Sequence, residues 1–129
     1  MKFINELKKL NLPTEHYVLF GSAPLAIRNL RENNDLDILV SDELWQKLLI
    51  KFSTHFHNNP PSLKIGNLEI FNTWIDFGVE KTILIKDAEF IDDLPFVKLK
   101  YFLLWKKKMN REKDKLDIKL SETYLGNHR

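Results

Sequence analysis

The chain of 129 residues contains no cysteine, only four glycines and five prolines, and no long hydrophobic run. The absence of cysteine excludes disulfide bonds and thiolate chemistry, and it fits a reducing compartment. The N-terminal stretch MKFINELKKLNLP lacks the uninterrupted apolar core of a signal peptide. No run approaches the roughly 18 apolar residues that a membrane span needs. We therefore expect a cytoplasmic protein that does not enter a membrane.

The composition is that of a single globular domain. Apolar residues make up 43% of the chain and charged residues 29%, which excludes a disordered protein. We predict one domain over residues 1–129, because this length suffices for one core. The net charge of +2 is unevenly distributed: residues 98–119 contain nine Lys or Arg against three Asp or Glu, so the rest carries −4. Such a basic segment is either a solvated helix face or a site for an anion, such as nucleotide phosphate or nucleic acid.

Apolar periodicity and turn residues predict ten elements in the order α-β-α-β-α-β-β-β-α-α. The predicted elements are an N-terminal amphipathic helix, a strand at 17–20, a helix from Ser22 to Arg31, a strand at 35–40, a helix capped by Ser41 and ending near Phe52, strands at 62–65 and 68–71 joined by Gly66-Asn67, a strand at 81–86, a helix from Asp93 to Met109, and a helix from Arg111 to Tyr124. Strands that bracket helices, together with a hairpin, predict an α/β (α+β) fold with a mixed β-sheet flanked by helices.

Two carboxylates alternate with apolar residues in the segment DLDILV, residues 35–40. Residues i and i+2 of a strand point to the same face, so Asp35 and Asp37 share a face, about 7 Å apart at Cα. Unpaired carboxylates repel each other and resist burial, whereas a pair near the start of a strand can converge on a cation. Ligand sets made only of oxygen atoms favour a hard cation such as Mg²⁺ or Mn²⁺. A surface strand with alternating acids has the same pattern, so both interpretations stay open here.

Gly21 and Ser22 stand between the first predicted strand and the helix that follows it. A turn of this kind presents backbone N–H groups and the positive end of a helix dipole to an anion. Glycine lets the backbone approach a phosphate closely. A tight turn with Ser22 as a simple N-cap would have the same sequence, and both roles can hold together. The order strand, Gly-Ser, helix and Asp-x-Asp predicts a phosphate-binding turn beside a metal site.

This order resembles the nucleotidyltransferase superfamily of the DNA polymerase β type, in which an apolar strand, Gly-Ser, a spacer and Asp-x-Asp follow one another. In this chain the twelve residues 23–34 separate Ser22 from Asp35. The family adds a third acid between apolar residues on a later strand. Glu69 in Leu-Glu-Ile is the candidate and Asp76 in Ile-Asp-Phe is the alternative. Many members carry Asp at this position, so a Glu is a departure from the pattern.

The C-terminal segment LPFVKLKYFLLWKKKMNREKDKLDI extends the likeness. It resembles small bacterial members related to the abortive-infection AbiEii-type proteins, in which an apolar helix carries a Lys and is followed by Arg-x-Lys-Asp-x-x-Asp. The matching residues are Lys106, Arg111, Lys113, Asp114 and Asp117. The resemblance covers residues 17 to about 120 and implies a nucleotidyltransferase-like fold with C-terminal helices.

The resemblance implies a metal-dependent transfer of a nucleoside monophosphate from a nucleoside triphosphate to a hydroxyl acceptor, with release of pyrophosphate. Asp35, Asp37 and Glu69 would be the catalytic acids and the ligands of Mg²⁺ or Mn²⁺. The implied nucleotide-binding residues are Gly21, Ser22, Lys106, Arg111 and Lys113. The acceptor could be an RNA, a protein side chain or a small molecule, and the sequence does not choose among them.

Two other functions compete with this hypothesis. Small members of the superfamily often work beside a separate helical protein, so the chain could be a catalytically weak nucleotide-binding or antitoxin-like partner of a toxin–antitoxin or abortive-infection pair. A basic nucleic-acid-binding module would explain residues 98–119 but not the paired acids. The pairs Arg111–Asp114 and Lys113–Asp117 can also be ordinary helix support, worth about 0.2–0.5 kcal/mol each.

Overall fold

Six helices and seven strands form over residues 1–127, which are the residues that this computed structural model describes. The helices are α1 (Ile4–Leu10), α2 (Ala23–Ala26), α3 (Asp42–Lys51), α4 (Lys81–Lys86), α5 (Leu99–Met109) and α6 (Asp114–Asn127). The strands are β1 (Tyr17–Leu19), β2 (Leu36–Val40), β3 (Phe56–His57), β4 (Ser62–Ile65), β5 (Leu68–Phe71), β6 (Glu89–Ile91) and β7 (Leu94–Phe96). No helix within residues 1–127 has the length and apolarity required to cross a membrane.

The seven strands make one mixed sheet in the order β3-β4-β5-β2-β1-β7-β6. β1 and β2 are antiparallel, with Leu19 opposite Ile38. β2 and β5 are parallel, with Asp37 opposite Glu69. The predicted mixed sheet flanked by helices is therefore confirmed, and its centre brings two of the candidate acids onto neighbouring strands.

Each face of the sheet buries its own apolar cluster. Leu36, Ile38 and Val40 of β2 pack on the face covered by α1 and α3. Leu39 packs on the other face, where α2, α4, α5 and α6 contribute the covering side chains. Because side chains alternate along a strand, Asp37 lies on the same face as Leu39. The predicted conflict between acids and a buried strand is resolved by this alternation, since β2 is apolar on one face throughout.

Several segments differ from the sequence prediction. Residues 81–86, KTILIK, are predicted to form a strand, but they form α4. A short apolar run does not distinguish helix from strand, and the helix buries Leu84 while Lys81 reaches Asp42 and Asn72.

The segment from Asp93 to Lys98 is the second difference. Leu94–Phe96 forms β7 instead of a first helical turn, and α5 begins only at Leu99. Pro95 lies opposite Phe90 of β6, which the sequence did not predict. The fixed φ of proline suits a strand as well as a helix start, and pairing with β1 and β6 decides between them.

The helix predicted from Ser22 to Arg31 is much shorter, because α2 ends at Ala26. Asn29 has a φ of +59°, which ends helical geometry.

Two local predictions at helix and strand ends are confirmed. The Ser41 hydroxyl accepts a hydrogen bond from the Leu44 N–H, at 3.1 Å, and caps α3. Gly66 has the positive φ that the turn between β4 and β5 requires.

Candidate functional site

The turn after β1 places Gly21 directly against the Asp37 side chain. The Phe20 N–H donates to the Asp37 carbonyl oxygen at 2.9 Å, so the antiparallel pairing continues to the turn. Gly21 has a φ of +58°, and a Cβ built on it would lie 3.0 Å from Asp37 Cγ and 3.1 Å from Asp37 Cβ. Both the backbone conformation and the adjacent carboxylate therefore require glycine here.

Ser22 lies beside this glycine, at the N-cap position of α2. Its side chain makes no capping hydrogen bond, and α2 is only four residues long. Ser22 therefore stands at the predicted N-cap position, but without a capping hydrogen bond from its side chain. The Ser22 side chain instead contributes to the wall of the cleft in front of the acids.

Three carboxylates converge beside the turn. One oxygen each from Asp35, Asp37 and Glu69 lie within 4.8 Å of one another. Asp35 immediately precedes β2, and the parallel pairing of β2 with β5 brings Glu69 next to Asp37. Asp76, the alternative third acid, lies in the loop before α4, where its carboxylate accepts a hydrogen bond from the Gly78 N–H at 2.9 Å. The structure therefore groups Glu69, and not Asp76, with the two aspartates.

The acid cluster has an excess of negative charge. The pKa of Asp37 is raised to about 7, mainly by burial and also by the nearby charges of Asp35 and Glu69, against an opposing effect of Lys106. The pKa of Asp35 is also raised, first by burial and then by Glu69. Within residues 1–127, neither aspartate side chain accepts a hydrogen bond or forms a salt bridge. A donor set of three carboxylates with this charge excess fits a hard divalent cation such as Mg²⁺ or Mn²⁺.

A cleft of about 730 Å³ opens in front of Asp35 and Asp37. Its wall includes almost every candidate residue together with several that were not predicted. The predicted residues in the wall are Gly21, Ser22, Asp35, Asp37, Lys106, Arg111, Lys113 and Asp117. The others include Arg31, Trp74 and Trp105. Glu69 reaches the acid cluster from the neighbouring strand. The volume lies in the range of small-molecule sites in proteins, about 300–1,000 Å³.

Lys106 is buried in this wall and carries two carboxylate partners. Its Nζ lies 3.0 Å from Asp114 Oδ1 and 3.1 Å from Asp117 Oδ2. It also lies 4.6 Å from the centroid of the Trp105 ring. Only 9% of the Lys106 side chain is exposed, so its charge is largely balanced inside the protein.

Two arginines complete the ionic network around Lys106. Arg111 donates to both oxygens of Asp114, at 2.7 and 2.9 Å, which holds the pKa of Asp114 well below its ordinary value. Arg31 donates to both oxygens of Asp117, at 2.9 and 2.8 Å. Of the two helix pairs that the sequence suggested, Arg111–Asp114 forms, whereas Asp117 pairs with Arg31 and Lys106 and not with Lys113. Three cations against two carboxylates leave this side of the cleft positive.

Arg31 and the two tryptophans are functional candidates that sequence reasoning missed or assigned elsewhere. Arg31 and Asp117 are 86 positions apart, and no local pattern connects them. Trp74 and Trp105 pack edge to face at 5.2 Å between ring centroids and form part of the cleft wall. Trp105 also packs in the apolar cluster on this face of the sheet.

Comparison of the chain with protein-family models, with curated proteins and with solved structures found no match. The geometry of the cleft and the chemistry of its side chains are therefore what indicate a function.

Proposed function

We propose that the protein transfers a nucleoside monophosphate from a nucleoside triphosphate to a hydroxyl acceptor, with release of pyrophosphate. The observation that carries the proposal is the acid cluster of Asp35, Asp37 and Glu69 beside the Gly21-Ser22 turn, in one cleft. A negative cluster at one end and a positive wall at the other match a triphosphate and its divalent cations. The resemblance of these motifs to the nucleotidyltransferase superfamily supports the same reaction.

Each group of residues has a distinct task in this proposal. Asp35, Asp37 and Glu69 would hold Mg²⁺ or Mn²⁺, which supplies charge neutralisation for the phosphates and activates the acceptor hydroxyl. Gly21 provides room for a phosphate beside the backbone, and the Ser22 hydroxyl is available as a donor. Phosphoryl transfer needs positioning and electrostatic stabilisation more than covalent catalysis, which is what this cleft offers.

The positive wall would bind the triphosphate. Arg31 and Arg111 are about one-third exposed, at 36% and 37% of their side chains, although each also pairs with a buried aspartate. Lys113 is exposed at the same wall. Lys106 contributes through the network, because its ammonium group already contacts Asp114 and Asp117. A guanidinium presents paired donors that suit a phosphate oxyanion.

The decisive experiment incubates the full chain with each α-³²P-labelled nucleoside triphosphate, Mg²⁺ or Mn²⁺, and a cell lysate. We expect label to be transferred to a lysate component and pyrophosphate to be released. The double variant Asp35→Asn/Asp37→Asn should lose at least 100-fold of this activity, since removing metal ligands removes the site (~3 kcal/mol or more). The same variant should also lose the rise in melting temperature that metal plus triphosphate gives the wild type.

The matched control is Asp92→Asn/Asp93→Asn. These adjacent aspartates are exposed, have positive φ values that Asn tolerates, and lie away from the cleft. Activity and stabilisation should be unchanged in the control. No transfer and no stabilisation with any triphosphate would rule the proposal out. Stabilisation without transfer would favour the second hypothesis, a nucleotide-binding partner protein in the cytoplasm.

A further inference from the structure

Ser62 of β4 makes the hydrogen bond that holds the third acid. The Ser62 hydroxyl donates to Glu69 Oε2 at 2.8 Å, and this is the shortest polar contact of that carboxylate. Ser62 is only 1% exposed. No step of the proposed reaction uses Ser62, so its burial needs another reason.

The strand register explains why these two side chains meet. β4 and β5 are antiparallel, with Ser62 opposite Phe71 and Lys64 opposite Glu69. Ser62 and Glu69 are therefore diagonal neighbours on one face of the sheet, within reach of a long side chain. Burial of a hydroxyl is costly without a hydrogen-bond partner, and in this structure the Glu69 carboxylate is that partner.

Glu69 needs such a partner because of its length and its surroundings. A glutamate has one more rotatable bond than an aspartate, and the negative charges of Asp35 and Asp37 repel its carboxylate. Lys64 offers little restraint, since its Nζ lies 4.0 Å from Glu69 Oε2 and half of its side chain is exposed. The Ser62 hydroxyl is thus the contact that fixes where the carboxylate lies.

We propose that Ser62 is a positioning residue, which holds Glu69 against Asp35 and Asp37 so that the three carboxylates form one divalent-cation site. This inference rests on the proposed function, because it assigns a supporting group to the same metal ligands. Groups that orient metal ligands through hydrogen bonds typically change metal affinity by about 10- to 100-fold when removed.

The test measures Mn²⁺ binding to the full chain without nucleotide, by electron paramagnetic resonance titration. Ser62→Ala should weaken Mn²⁺ binding about 10-fold. In the Glu69→Gln background, the further change Ser62→Ala should have little effect, about 2-fold or less, because the ligand that it positions is already lost. Ser62→Thr, which keeps the hydroxyl, should bind Mn²⁺ like the wild type.

Ser121→Ala is the control for removing a buried serine hydroxyl. Ser121 is fully buried, and its hydroxyl donates to the Asp117 carbonyl oxygen instead of to an acid of the cluster. This variant should bind Mn²⁺ with wild-type affinity.

Three results would overturn the inference about Ser62 alone. The first is wild-type Mn²⁺ affinity in the Ser62→Ala variant. The second is a loss of Mn²⁺ affinity from Ser62→Ala that is as large in the Glu69→Gln background as in the wild type. The third is a loss in Ser62→Thr as large as in Ser62→Ala. A wild-type chain that binds no Mn²⁺ would instead remove the metal site, and with it both this inference and the proposed function.

Discussion

At the scale of single residues, Gly21 connects backbone geometry with the acid cluster. Its positive φ costs a residue with a side chain about 1 kcal/mol or more. A side chain would in addition collide with the Asp37 carboxylate. The glycine is therefore demanded by two independent constraints, and the second of them exists only because Asp37 faces the turn.

Three glycine-to-alanine variants separate these constraints. Gly126→Ala should be neutral or slightly stabilising, because Gly126 lies in α6 with open space around it. Gly78→Ala should cost about 1 kcal/mol, since its φ is +94° but nothing lies within 4 Å of the added Cβ. Gly21→Ala should cost about 2–3 kcal/mol, because strain and collision add. Urea denaturation measures all three free energies of unfolding.

An equal cost at Gly21 and Gly78 would contradict the role of the Asp37 contact. The Gly21→Ala variant should also weaken the stabilisation by metal plus triphosphate, which Gly78→Ala should leave unchanged.

At the scale of elements, the ionic network joins α5 to α6 across a sharp turn. Asn110 ends α5 with a φ of +47°, and the Asp114 carboxylate accepts a hydrogen bond from the Arg111 N–H at 3.0 Å. Lys106 on α5 then contacts both Asp114 and Asp117 on α6. These buried charges fix the angle at which α6 leaves the turn, and so they determine where the positive wall of the cleft lies.

Replacing Lys106 tests the network. Lys106→Met keeps the side-chain volume but leaves two buried aspartates with one cation fewer, so we expect a loss of about 2–4 kcal/mol in the free energy of unfolding. Lys107→Met is the control from the next position of the same helix, where the exposed ion pair with Glu122, at 3.6 Å, should be worth less than about 0.5 kcal/mol. If Lys106→Met and Lys107→Met lowered the free energy of unfolding equally in urea denaturation, the network would not be what holds the two helices together.

At the scale of the whole molecule, the acid cluster reduces global stability in the absence of a cation. The pKa of Asp37 rises from 3.8 to about 7 on folding, mainly through burial. Between these values the folded protein binds more protons than the unfolded chain, so stability falls as the pH rises from about 4 to 7. Above pH 7 the full cost of the buried charge is present.

Asp37→Asn should therefore stabilise the metal-free protein at high pH. In EDTA at pH 8 we expect a gain of about 1–3 kcal/mol in the free energy of unfolding, which disappears near pH 4. Asp93→Asn, an exposed control, should change nothing at either pH. Adding Mg²⁺ should stabilise only the wild type and so make it more stable than Asp37→Asn. A stability difference between the two proteins that is independent of pH would contradict the assignment of the raised pKa to Asp37.

Much of the fold and most of the candidate site could be predicted from local patterns. The alternation in DLDILV predicted a strand with acids on one face, and Gly66-Asn67 predicted the hairpin that carries Glu69. Short segments without a clear period could not be assigned, as α4 and β7 demonstrate. Whether such a segment forms a helix or a strand depends on pairing partners and packing surfaces that lie far away in the sequence.

The sequence by itself determined the composition of the site: Gly21-Ser22 at the end of a strand, two acids at the start of the next, and a basic C-terminal segment. Only the tertiary structure decided which residues meet, because strand order and register are long-range properties. Parallel pairing of β2 with β5 selected Glu69 over Asp76, and antiparallel pairing of β4 with β5 placed Ser62 on its carboxylate. Packing of α5 and α6 on the sheet paired Lys106 with two acids and brought in Arg31.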